Sequence, residues 1–271
     1  RLYRWVSALT GSKNTMKGIG YFMGGLLLAL LDFKGAVIVL LTPLVLAILA
    51  SLSLLKRDLG KTQHKAQFAE IFSRNQTINW LSAARFFLFA SRDIWFVIAL
   101  PVYLSTNLDW PHWQVGAFLA SWVIAYGAIQ VLAPKITSSF EQRHPISQLV
   151  NWGLLLAIVP TLIATALSNS LNPTLTIIFG LLIFGIIFAI NSALHSYLIV
   201  NQARAEGVSL DVGFYYMANA GGRLIGTLLS GLVFQTFGLI TCLWVSALFL
   251  FITAGISIMT PARNISEMDS G

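Results

Sequence analysis

Five basic residues stand inside stretches that are otherwise apolar: Lys13, Lys17, Arg85, Arg92 and Arg223, with Asp93 the lone acid among them. A charge at bilayer depth costs ~2.5–3.5 kcal/mol on insertion scales, so five cations against one carboxylate exceed what helix packing asks for. The difference, five minus one, is an excess of four positive charges that calls for an anionic ligand. Guanidinium forks match the paired oxygens of phosphate, arsenate and carboxylate groups, while a lysine acts as a compact point charge. Lys13 and Lys17 are four residues apart and Arg85 and Arg92 seven apart, which places each pair on one helical face. The set suits a multiply charged oxyanion.

Polar companions share those faces. Ser12 and Asn14 flank Lys13, Asn191 and His195 are four apart, and Tyr215, Asn219 and Arg223 follow in steps of four. Lys13, Lys17, Arg85, Arg92, Arg223, Asn14, Asn219 and Tyr215 are therefore the candidate substrate-binding residues. Hydrogen bonding between helices without ligand contact is the alternative for the uncharged ones. Asp93 and His195 are the candidate proton carriers if transport is proton-driven. The alternatives for the arginines are that Arg92 pairs with Asp93 or snorkels and that Arg85 caps helix carbonyls. An intramembrane enzyme using His195 and Asp93 is a remote reading, because no Ser–His or Asp–Asp arrangement stands at workable spacing. A single cysteine, Cys242, excludes a disulfide framework and a multi-cysteine metal site, and neither a metal nor a cofactor is expected.

The elements that must position these residues are membrane helices. Of the 271 residues, 56% are hydrophobic and 10% charged, a composition that leaves no polar shell for a water-soluble globule. The mean hydropathy of +0.77 points the same way. Each crossing needs ~20 mostly apolar residues. Charged and turn-rich breaks divide the chain into eight such runs, residues 5–31, 36–55, 77–104, 113–139, 147–167, 174–200, 212–236 and 239–259. At 1.5 Å per residue Arg92 lies ~22 Å from the cytoplasmic end of its span, and Lys17 and Arg223 ~17 Å from theirs, depths that converge near the midplane. Short connections imply antiparallel neighbours. Glycine pairs at Gly20 and Gly24 and at Gly222 and Gly226 imply close helix packing, and Pro101, Pro134 and Pro160 imply kinks or helix ends.

Charge placement gives the sidedness. Eleven Lys and Arg fall on one side (Arg1, Arg4, Lys56, Arg57, Lys61, Lys65, Arg74, Lys135, Arg143, Arg204, Arg263) and Lys34 alone on the other, which puts both termini in the cytoplasm. The net charge of +7 is read as topogenic, with the lipid bilayer as partner and nucleic acid not expected. Arg1 opens no signal peptide, and the chain is expected to be a fragment of a longer transporter. Two helices before a basic linker and six after it suggest tandem six-helix units. The expectation is an all-α transmembrane bundle of the major facilitator architecture with eight of twelve helices present. Residues 1–55 would be the last two helices of the first half, 56–76 a cytoplasmic linker, 77–260 the second half and 261–271 a cytoplasmic tail.

The run Leu9-Thr10-Gly11-Ser12-Lys13-Asn14, continuing through Lys17-Gly18 to Gly24-Gly25, resembles the fifth helix of the ArsJ family of organoarsenical efflux permeases. Arg92-Asp93-Ile94-Trp95-Phe96-Val97 with Leu100-Pro101-Val102 is similar to that family's seventh helix. Gln114-Val115-Gly116, Trp122-Val123-Ile124, Tyr126-Gly127 and Ala133-Pro134 are similar to its eighth. The resemblance covers most of the chain, although residues 133–146 lack the common facilitator Gly-x-x-x-Asp pattern. It implies a bacterial inner-membrane protein that exports 1-arseno-3-phosphoglycerate and so confers arsenate resistance. A glyceraldehyde-phosphate dehydrogenase that accepts arsenate would supply that substrate. Transport of an ordinary organophosphate uses the same cations and is the alternative.

Overall fold

The computed structural model describes residues 2–54, 75–137, 145–203 and 208–261. The described residues are helical with short connections: α1 (Leu2–Leu54), α2 (Gln76–Phe96), α3 (Ala99–Thr106), α4 (His112–Thr137), α5 (Pro145–Ser168), α6 (Pro173–Gln202) and α7 (Val208–Ile258). Most of the expected linker and tail, with Arg1, Lys56, Arg57, Lys61, Lys65, Arg74, Arg143, Arg204 and Arg263, lies outside the described residues.

Two of the helices are interrupted where the sequence has turn residues. Asp32 breaks α1 with φ 56°. Its carboxylate accepts the backbone N–H groups of Lys34 at 2.9 Å and Gly35 at 3.3 Å, so a single residue stops one helix and caps the next. A loop over residues 32–35 was expected, and this cap makes it shorter. In α7 the break falls at Gly238, whose φ of 78° is open to glycine at little steric penalty.

Between α2 and α3 the chain departs from helix at Val97 and Ile98. Pro101 explains the break, since its ring opposes the carbonyl four residues back and it has no N–H to donate. The Ala99 N–H, turned away from the ladder, donates instead to Ser230 Oγ on α7 at 3.1 Å. Pro134 and Pro160, by contrast, lie inside α4 and α5 without ending them.

Six stretches among the described residues are long and apolar enough to cross a membrane: Leu30–Leu54, Gln76–Thr106, Trp113–Thr137, Ile146–Ser168, Pro173–Gln202 and Asp211–Ile258. The last spans 48 residues and holds the Gly238 break, so it is long enough for two crossings. Length and composition thus fit a membrane-spanning helical bundle of six to seven apolar helices. The first expected crossing, residues 5–31, is helical but is not among the six, because Ser12, Lys13, Asn14 and Lys17 dilute its apolar character.

Packing is organised by two long seams, α2 along α7 and α1 along α4, with α6 touching both groups and α5 lying against α6 and α7. At the first seam a Cβ on Gly222 would collide with the Phe86 backbone and one on Gly226 would stand 2.7 Å from the Ala90 carbonyl, so both glycines permit the contact expected of them. Gly20 and Gly24 face open space, against expectation. The close approach on α1 is made by Gly11, against Gly127 and Val131, and by Gly18, against Ala120 and Ile124. The core between the seams is aromatic: Phe89, Trp95, Trp122, Tyr126, Phe184 and Phe188 are all buried. Residues 37–54, in the second part of α1, are exposed throughout.

Candidate functional site

A cavity of about 600 Å³ lies between α1, α2, α4, α6 and α7. Lys13, Lys17, Arg85, Arg92 and Arg223 all line it, as do Asn14 and Asn219. Four-residue and seven-residue spacing brings each pair to one face, and the two seams then turn those faces toward one space. Thirteen residues of α1, α2 and α7 meet there with residues of α4 and α6 that the charge pattern does not reveal.

Burial separates the cations into two groups. Arg85 is 4% exposed, and two of its three guanidinium nitrogens donate to the bundle. Its Nε donates to Asn219 Oδ1 at 3.2 Å, and one Nη donates to the Ser192 carbonyl at 2.9 Å and to Ser192 Oγ at 3.0 Å. The guanidinium also lies over the Phe89 ring at 4.1 Å and the Tyr215 ring at 5.1 Å. Arg92 is held between Phe89 and Phe188 at 4.9 and 5.3 Å, and its Nε donates to Asp93 Oδ1 at 2.6 Å. Lys13 and Lys17 are exposed to the cavity, and among the described residues neither has an ion-pair partner. Arg223 is 45% exposed. Lys13 and Lys17 are thus exposed and unpaired among the described residues, Arg223 is exposed to the cavity while its Nε holds a carboxylate behind it, and Arg85 and Arg92 shape and charge the wall.

Asp93 is fully buried and does not line the cavity. Its second carboxylate oxygen accepts from Arg223 Nε at 2.9 Å, so one carboxylate serves two arginines on two helices. The pairing with Arg92 was one of the alternatives; the bridge to Arg223 was not anticipated. His195 is also fully buried and outside the cavity lining, and neither ring nitrogen has a hydrogen-bond partner among the described residues. Asn191 likewise turns away, donating to the Leu149 carbonyl at 3.4 Å, and the Ser12 hydroxyl donates to its own helix at the Leu9 carbonyl.

Tyr215 requires a correction. It is buried beneath Arg85, with its hydroxyl 3.4 Å from Ser196 Oγ, and its neighbour Tyr216 lines the cavity instead. The reason is the helical period: at 100° per residue, position 216 returns to within ~20° of Arg223 after seven residues, whereas position 215 is ~80° away after eight. Tyr216 is 54% exposed, and the Lys13 ammonium lies 5.8 Å from its ring centre.

Gln130 was not singled out, yet it joins the two seams. Asn14 Nδ2 donates to Gln130 Oε1 at 2.6 Å, and Gln130 Nε2 donates to Tyr126 OH at 2.8 Å and to Ser192 Oγ at 3.2 Å. With the Arg85 bonds to Ser192 and Asn219, one hydrogen-bonded chain runs from α1 through α4, α6 and α2 to α7. The available signal was a glutamine in an apolar span four residues after a tyrosine.

Chemically the cavity holds five positive charges against the Asp93 carboxylate, leaving four in excess. Cations confined in a medium of low dielectric repel one another strongly, and an anion placed among them offsets both the repulsion and the lost hydration. Among the described residues no cluster of His, Cys, Asp or Glu is arranged to hold a metal ion. No protein-family model matches the chain, and no curated protein matches it either.

Proposed function

We propose that this protein is an inner-membrane transporter that moves a multiply charged organic anion by alternating access. The single observation that carries the reading is the convergence of all five intramembrane cations on one cavity, with one carboxylate to balance them. Lys13, Lys17 and Arg223 would take the oxyanion head, and Arg85 and Arg92 would set the field around it. Asp93 would hold Arg92 and Arg223 at a fixed spacing between transport events.

Alternating access is supported by the division between the seams. Tyr3 near the start of α1 packs its ring 4.8 Å from Tyr197 on α6, its hydroxyl meets Thr137 on α4, and none of these residues lines the cavity. Rocking α1 away from α4 and α6 would part these contacts. The major facilitator architecture, with this chain supplying the helices on either side of a central cavity, accommodates such a motion.

Within the organic anions, the resemblance to organoarsenical permeases makes 1-arseno-3-phosphoglycerate the cargo to test first, exported to give arsenate resistance. A glyceraldehyde-phosphate dehydrogenase is then the functional partner. The test is growth on arsenate of a bacterial host lacking its own arsenical exporters, with and without a co-expressed dehydrogenase. Resistance that requires both proteins is expected. Resistance absent under both conditions, with the protein present in the membrane, removes the arsenical and leaves organophosphates and other organic anions as cargo.

A further inference from the structure

The cations answer the charge of a ligand but leave another side of the cavity without a purpose. To the lining α4 contributes Gly116, Leu119, Ala120, Trp122, Val123 and Tyr126, none of them charged. Half-buried Leu119 and Val123 offer the apolar surface and Phe96 on α2 extends it, while the buried Trp122, its ring 4.5 Å from Phe96, stacks on the buried Tyr126 with ring centres 5.6 Å apart and planes 9° from parallel.

This face is held in place from behind. Trp122 Nε1 donates to the Leu181 carbonyl at 2.8 Å, and a Cβ on Gly185 would stand 2.8 Å from the same nitrogen, so the indole fits against glycine. The Tyr126 hydroxyl is engaged by Gln130. An apolar wall fixed in advance gains contact with an apolar ligand without ordering itself first. A small hydrophilic anion has no surface to offer it and would lose hydration against it. The cavity volume, about 600 Å³, falls within the roughly 300–1,000 Å³ of sites that enclose drug-sized molecules.

We infer that the preferred cargo is an organic oxyanion carrying an aromatic ring or a similarly flat apolar body, its head on Lys13, Lys17 and Arg223 and its body on the α4 wall. This rests on the anion-transport reading above and narrows it. The compact acyl arsenate then binds more weakly than an aryl phosphate or aryl arsonate of equal charge.

The test is calorimetric titration of the purified chain in detergent with phenyl phosphate, glycerol 3-phosphate and inorganic phosphate, and with uncharged phenol as a control for partition into micelles. Phenyl phosphate is expected to bind at least about tenfold more tightly than glycerol 3-phosphate, a ratio that burial of one ring face supplies. Leu119→Asn and the nearly isosteric Val123→Thr are expected to bring that ratio down, the second guarding against a misfolded first. Equal or tighter binding of glycerol 3-phosphate, an unchanged ratio in both folded variants, or competition by phenol as strong as by phenyl phosphate overturns the inference and leaves anion transport standing. Failure of the folded protein to bind any of the three anions overturns both.

Discussion

Asp93 and Arg223 are 130 residues apart in sequence and 2.9 Å apart in space, joined across the seam between α2 and α7. The same carboxylate holds Arg92, its chain neighbour, so the packing of two helices and the charge of the cavity depend on one side chain. Removing it leaves two guanidinium groups without their counter-ion at a site where Asp93 itself is fully buried. Asp93→Asn is expected to lower stability by about 1–3 kcal/mol, less than for a fully buried pair because Arg223 is 45% exposed and stays hydrated. Thermal unfolding in detergent measures it, and the Asp93→Asn/Arg223→Gln double variant should recover part of the loss.

Arg85 and Lys17 both line the cavity but should respond differently to substitution. Arg85→Lys keeps the charge yet cannot reproduce the bonds to Asn219 and to both Ser192 oxygens, so it should destabilise the fold by about 1–3 kcal/mol. Lys17→Gln removes an exposed side chain and should leave the melting temperature nearly unchanged while weakening anion binding. Parallel melting and titration of the two variants separates the supporting cation from the binding one.

The seams themselves can be probed through glycine. Gly222→Ala drives a methyl group into the Phe86 backbone and should destabilise by about 1–3 kcal/mol, with a compensating shift of α7 away from α2. Gly20→Ala, which meets open space, should be neutral or slightly stabilising by about 0.5–1 kcal/mol from helix propensity. Equal effects of the two substitutions would contradict the assigned packing.

Much of this was legible in the sequence because charge inside an apolar run is conspicuous and helical spacing fixes which residues share a face. Lys13, Lys17, Arg85, Arg92 and Arg223 reach one cavity for that reason. What remained hidden depends on how helices rotate and which of them meet. Tyr216 stood within reach of the same argument, seven residues before Arg223, whereas the four-residue steps from Arg223 through Asn219 drift round the helix and end on Tyr215, which is buried. The glycines that mattered on α1 were Gly11 and Gly18, seven apart and matched to α4, not the four-spaced Gly20 and Gly24. Gln130 carries no charge to draw attention, and its role exists only because α1, α4 and α6 converge on it. His195 shares a face with Asn191 by spacing, yet that face turns into the bundle, away from the cavity.

Ser230 offers a sharper test of the α2–α3 break. Its hydroxyl receives the Ala99 N–H that a continuous helix would have directed to Trp95. Ser230→Ala leaves that buried donor without its partner and should lower stability by about 1–3 kcal/mol. Pairing it with Pro101→Ala, which permits a continuous helix, should reduce the loss, and a thermal double-mutant cycle reads the coupling.

The convergence of the cations is tested most directly by uptake of labelled phenyl phosphate and glycerol 3-phosphate into proteoliposomes bearing either the unaltered protein or the Lys13→Gln/Lys17→Gln/Arg223→Gln variant. Saturable uptake of at least one anion by the unaltered protein is expected, with a loss of about tenfold or more in the variant at equal protein content, since three exposed cations are removed from the cavity. Uptake no faster than into protein-free liposomes, or equally fast in the variant, would contradict the assignment of this cavity to anion transport.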